Sequence, residues 1–182
     1  MDYKKLNTYT GWFVFLIATT AYFITIEDTV SLWDCGEYIT AAYKLEVGHP
    51  PGAPLFMLLG RIFSFFAAPE NVAVWINRMS GLSSSFSILF MFWSITMLAK
   101  KMAFNNKRTL SKGEIIAILG SGAVGALAYT FTDSFWFSAV EGEVYAMSSL
   151  FTAIIFWAIL KWDEETEAIK FGELDLDVSP LR

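Results

Sequence analysis

The chain has 182 residues, 55% of them hydrophobic and 17% aromatic, with a mean hydropathy of +0.47 and a formal net charge of −5. A soluble domain of this length keeps most of its surface polar, so this balance excludes a water-soluble globule unless much of the surface faces lipid. The acidic charge speaks against nucleic acid as a partner, and the lone Cys35 excludes an internal disulfide and any cysteine-based zinc cluster.

Charged residues punctuate the chain. Leu6 to Ile26 and Met79 to Ala99 each run 21 residues without Asp, Glu, Lys or Arg; Ile115 to Thr132 runs 18 and Val144 to Leu160 runs 17. Such runs make roughly 25–32 Å of helix, about the thickness of a bilayer's hydrocarbon layer. Lipid offers the backbone no hydrogen-bond partners, so these segments are expected to be helices. The reading is an all-α integral membrane protein with a membrane domain over 1–162. Its spans fall at about 8–27, 79–99, 115–132 and 144–161, with a long loop over 27–78 and a polar tail over 163–182. The first span follows Lys4 and Lys5 without a small-x-small cleavage site, which makes it an uncleaved signal anchor.

Lys and Arg set the orientation. Lys4, Lys5, Lys100, Lys101, Lys107, Arg108, Lys112, Lys161, Lys170 and Arg182 fall on one side, against Lys44, Arg61 and Arg78 on the other. Both termini are therefore expected in the cytoplasm, with the 27–78 loop and the short turn from Asp133 to Glu143 outside. The expected location is the cell inner membrane.

The long loop is the informative segment. Tyr38 to Val47 reads as a short helix. His49-Pro50-Pro51-Gly52-Ala53-Pro54 then breaks the chain sharply, and Leu55 to Ala68 reads as an interfacial helix interrupted by Arg61. Asp34 and Glu37, three apart, share a helix face where one carboxylate could take a proton and the other orient a substrate. The same spacing is also a helix capping box. His49, the single histidine, sits at the rigid turn on the same expected side as Asp34, where it could meet a phosphate, tune a carboxylate or serve as a plain turn residue. Its spacing from the carboxylates is not a metal-ligand pattern, and nothing in the sequence calls for a cofactor.

Arg61 and Arg78 lie where a lipid-anchored phosphate would meet a guanidinium, or where snorkelling anchors would stand. Glu141, Glu143 and Tyr145 open the last span. One acidic residue there suits the helix dipole; two ask for more. Phe135-Trp136-Phe137 reads as an interfacial belt. The spans carry no charge while nine acidic residues lie in the outer segments, the reverse of what an ion-coupled transporter shows at its midplane.

Three motifs in this order, Trp33-Asp34-Cys35-Gly36-Glu37-Tyr38, His49-Pro50-Pro51-Gly52-Ala53-Pro54-Leu55 and Phe135-Trp136-Phe137-Ser138-Ala139-Val140-Glu141-Gly142-Glu143-Val144-Tyr145-Ala146, carry a resemblance. Over roughly Trp12 to Trp162 the chain resembles a bacterial family of multi-spanning membrane proteins of formerly unknown function. That family is related to protein O-mannosyltransferases in the type-C glycosyltransferase superfamily. The resemblance implies the N-terminal half of such a fold, with short interfacial helices in the first outer loop. It implies sugar transfer from a polyprenyl-phosphate donor to a protein or lipid hydroxyl outside the cytoplasm, with inversion at the sugar carbon. Asp34 then matches the base, Glu37 its support, His49 a contact to the donor's phosphate region, and Glu143 and Tyr145 residues that shape the site. Cys35 departs from the small hydroxyl residue or alanine expected there but stays small. Superfamily members have more spans, so the missing C-terminal half or another membrane subunit is an expected partner. The alternative is a non-catalytic membrane subunit that binds a partner or a lipid-linked glycan, ahead of a transporter or flippase half.

Overall fold

The computed structural model describes residues 2–50, 52–104 and 109–170; Pro51, Lys107, Arg108 and the tail from 171 to Arg182 lie outside the described residues. Seven α-helices follow in order, and no strand occurs among the described residues: α1 Tyr3–Ile24, α2 Cys35–Lys44, α3 Pro54–Ser64, α4 Val72–Phe104, α5 Lys112–Thr130, α6 Asp133–Val140 and α7 Val144–Lys170. A short 3-10 turn at Pro69–Asn71 leads into α4.

Among the described residues, three helices are long and apolar enough to cross a membrane: Pro69–Ala103, Lys112–Thr130 and Val144–Thr166. They overlap the second, third and fourth expected spans, the first of the three reaching ten residues further upstream. The first expected span falls on α1, a helix of 22 residues that is not among these three. Asn7, three tyrosines and four threonines dilute its apolar character, which is why it stands apart from the other three. The long loop does hold two short helices, α2 and α3. The turn from Asp133 to Glu143 is more ordered than its length suggests, since α6 fills most of it. The polar tail likewise begins as helix, for α7 runs on through Lys170.

α4 is the hub, with α1, α3, α5, α6 and α7 packed around it. At 33 residues it is about 50 Å long, more than a bilayer requires, so its first two turns from Val72 to Arg78 project beyond the apolar run. Its buried face is small and hydroxylated: Ser83, Ser85 and Ser87 donate to the carbonyls of Met79, Gly81 and Ser83, one turn back, at 2.9, 2.8 and 2.9 Å. Helices in lipid gain nothing from burying apolar area against one another, so close approach of small residues supplies the packing.

Two clusters make up the core. One joins α1, α4, α5 and α6 through Val14, Ala18, Tyr22, Ile88, Phe92, Ala126 and Phe135. The other joins α2 and α3 to the start of α4 through Cys35, Ile39, Ala42, Phe56 and Ile76, which seats the short helices on the protruding end of α4. Cys35 is fully buried, the filler its size suggests. The expected aromatic belt is mostly interior, because α6 turns Phe135 and Trp136 toward Tyr22. Only Phe137, 57% exposed, faces outward.

Tyr22 closes the end of α5. Its buried hydroxyl donates to the Thr130 carbonyl at 3.0 Å, one of the last carbonyls of that helix and so without a helical N–H partner. Tyr22→Phe leaves that carbonyl unpaired and is expected to cost about 1–3 kcal/mol, read as an earlier unfolding transition in detergent micelles.

Candidate functional site

The residues of the three motifs gather at one end of the bundle, where α1 ends and α4 and α7 begin. Asp34 stands just before α2 with backbone φ −82° and ψ −4° and makes no side-chain capping hydrogen bond. The capping-box reading therefore fails. Glu37 does not reach back to Asp34. Its Oε1 accepts the His49 backbone N–H at 2.6 Å, and its Oε2 lies 3.1 Å from His49 Nδ1. The turn that follows α2 makes this possible. Leu45 takes the left-handed conformation at the helix end, φ 55°, and Gly52 closes the His-Pro turn at φ 76°.

His49 Nε2 in turn lies 3.9 Å from Asp34 Oδ2, so the imidazole stands between the two carboxylates. All three are open to the surface, with side chains 60% (Asp34), 44% (Glu37) and 43% (His49) exposed. The two bonds from His49, backbone first and ring second, hold the Glu37 carboxyl below its ordinary range. One oxygen or nitrogen from each of the three lies within 4.8 Å of the others, close enough to share a cation. The spacing 34, 37, 49 gives no hint of this, because the fold of the turn creates it.

The third motif meets the first from the α6–α7 connection. Glu143 is 8% exposed; burial, then the charges of Glu141 and Asp34, raise its carboxyl above the ordinary value. Glu141 accepts a 2.5 Å hydrogen bond from the Ser31 hydroxyl, just ahead of Asp34. Tyr38 sits among them, a residue that sequence reasoning passed over. Its phenol is raised by burial and then by Asp34, Glu143, Glu37 and Tyr145, and its ring lies 5.9 Å from that of His49. Its place beside Glu37 in the first motif was the available signal.

The two arginines are held against aromatic rings. Arg61 donates to the Tyr43 carbonyl at 2.5 Å and stacks on Tyr43 and Phe65. Tyr43 lies at the far end of α2, about 14 Å along the helix from Asp34. Arg78 lies 5.0 Å over the Trp75 ring, its Nε buried without a hydrogen-bond partner among the described residues.

The remaining structural residue is Asn77, fully buried in the protruding part of α4. Its amide donates to the carbonyls of Glu27 and Thr29 at 2.8 and 3.0 Å, pinning the strand of chain that leads to Asp34. A side chain at Gly142 would place its Cβ 2.9 Å from Asn77 Oδ1 and 3.0 Å from Ile39, so only glycine lets the third motif close on the first.

This architecture defines a class: an all-helical, multi-spanning membrane protein whose carboxylates, imidazole and phenols collect at one end of the bundle, outside the charge-free helical runs. Residues 34–173 match the family described as the Protein O-mannosyl-transferase TMEM260 N-terminal domain, and the chain belongs to that family. It is 31% identical over 144 residues to Protein O-mannosyl-transferase tmem260 of Dictyostelium discoideum, covering 78% of this chain and 16% of that protein. To Protein O-mannosyl-transferase TMEM260 of Mus musculus it is 26% identical over 155 residues, 85% of this chain and 20% of that protein. The chain thus spans a fifth or less of the length of these relatives. No solved structure matches.

The geometry makes a direct forecast about Glu37. A lowered carboxyl pKa stabilises the fold above the unfolded value and loses that stabilisation as pH falls through the folded value. His49→Ala removes the ring contact and leaves the backbone N–H. The Glu37 carboxyl is then expected to titrate higher than in the native protein but below an ordinary glutamate, read by carboxyl-carbon NMR.

Proposed function

We propose that this chain is the N-terminal part of a membrane glycosyltransferase that moves a sugar from a polyprenyl-phosphate donor to a hydroxyl acceptor on the non-cytoplasmic face. The observation that carries the reading is the state of Asp34: an exposed carboxylate at a rigid helix start, not engaged in capping, with an imidazole edge 3.9 Å away. The membership of the chain in a family whose named relatives are protein O-mannosyl-transferases supports the same chemistry.

In this reading the acceptor hydroxyl gives its proton to an Asp34 oxygen as its own oxygen bonds to the sugar's anomeric carbon. The bond from that carbon to the phosphate oxygen breaks, and polyprenyl phosphate leaves with the electron pair. One displacement inverts the centre. Glu37 holds His49 in place, and His49 keeps the Asp34 carboxylate oriented. Glu141, Glu143, Tyr38 and Tyr145 form the opposite wall, where hydroxyls of a sugar or acceptor find hydrogen-bond partners. The rest of the longer protein completes the donor pocket. Arg61 and Arg78 stay outside the reaction centre and anchor the loop helices at the interface.

Asp34→Asn keeps the shape and removes the base. In membranes carrying the full-length protein, a radiolabelled polyprenyl-phosphate sugar and a hydroxyl acceptor, transfer is expected to fall by about 10²–10⁴-fold at equal protein level. Transfer by the variant at the wild-type rate contradicts the assignment.

A further inference from the structure

A second polar centre lies at the opposite end of the bundle. There the first turn of α1, the start of α5 and the last turns of α4 and α7 line a cavity of about 780 Å³. Lys4, Lys100 and Lys161 line it, against the carboxylates of Asp2 and Glu164. Asp2 is engaged at the start of α1, where its Oδ1 accepts the Lys4 and Lys5 backbone N–H groups at 3.0 and 3.4 Å. Glu164 serves two cations at once, with Oε1 3.6 Å from Lys100 Nζ and Oε2 3.0 Å from Lys161 Nζ. Lys4 makes no ion pair among the described residues. Among the described residues that line the cavity, the ammonium groups therefore outnumber the carboxylates.

The deeper walls differ in kind. Trp93 and Trp157, with ring centroids 6.0 Å apart, stand with Met97 and Ile115 below the lysines. A site for a soluble anion has no use for an aromatic floor, and an apolar ligand has none for three lysines. A phosphate ester that continues into glycerol and hydrocarbon uses both, and it is abundant where spanning helices leave the hydrocarbon layer.

We propose that this cavity binds the headgroup of an anionic phospholipid. The phosphate sits among Lys4, Lys100 and Lys161, and the glycerol and first methylenes lie against Trp93 and Trp157. Glu164 occupies the position such a phosphate takes between Lys100 and Lys161, so it weakens the site and the two compete for the same donors. The assignment is independent of the chemistry at Asp34.

The test uses the full chain reconstituted in phosphatidylcholine vesicles with a minor share of phosphatidylglycerol, and native mass spectrometry of the lipid retained on release. Phosphatidylglycerol is expected to be retained in preference to phosphatidylcholine. Lys4→Gln and Lys161→Gln are each expected to lower that retention about fivefold, and Glu164→Gln to raise it. Lys101→Gln serves as the control, since Lys101 pairs with Asp163 and does not line the cavity. Lys4 lies in the exposed first turn, so its substitution reports on binding even if a change at Lys161 disturbs folding. An equal loss in Lys101→Gln, retention without preference for the anionic lipid, or full displacement by soluble glycerol 3-phosphate overturns the proposal.

Discussion

The candidate site depends on one buried amide. Asn77 spends both N–H bonds of its side chain on the carbonyls of Glu27 and Thr29, and its oxygen abuts Gly142. One residue of α4 thus holds the approach to Asp34 and receives the connection that carries Glu141 and Glu143. The Asn77 amide is fully buried, and leaving its N–H groups unpaired costs about as much as a lost hydrogen bond, so the amide and the two carbonyls fix one another. A length of α4 beyond what the bilayer needs makes this possible. The turns from Val72 to Arg78 form a post on which α2, α3 and both outer motifs are hung.

The rest of the molecule follows from keeping polarity at the ends. Between them, α4 offers serines that bond to their own backbone and let neighbouring helices approach, a packing device suited to lipid. At one end, carboxylates, a histidine and tyrosines face each other in partly exposed positions. At the other, lysines collect over tryptophans. An acidic end and a basic end on one short bundle agree with the side preference that Lys and Arg impose on membrane proteins.

The spans were legible because lipid punishes charge, and uninterrupted runs announce themselves. The limits of that signal are visible in α4. Arg78 ends the charge-free run, so the sequence reading stopped there and missed the helix that continues upstream to Val72. It is visible again in α6, whose eight residues lie in a segment short enough to pass for a turn. At the site, the identities of Asp34, Glu37 and His49 were readable, and so was a histidine that tunes a carboxylate, but which carboxylate it bonds was not. Asp34 and Glu37 have the spacing of a capping box, and only the return of the chain after Leu45 shows that Glu37 bonds to a residue twelve positions on. Arg61 shows the same limit from another side. A cation at the interface was foreseeable, whereas its engagement by the Tyr43 carbonyl depends on how α3 crosses α2.

Asp34 and Glu143, more than a hundred residues apart in the chain, act on one another in a single electrostatic site. Glu143 reports on it, because the charge of Asp34 is among the causes that raise its carboxyl. Titration of Glu143 by carboxyl-carbon NMR in the native chain and in Asp34→Asn tests this most directly. If the motifs share a site, removing the Asp34 charge lowers the Glu143 pKa, while burial and Glu141 keep it above that of an ordinary glutamate. An unchanged Glu143 titration would mean that the two motifs do not sense each other, and the account of a single site would be wrong.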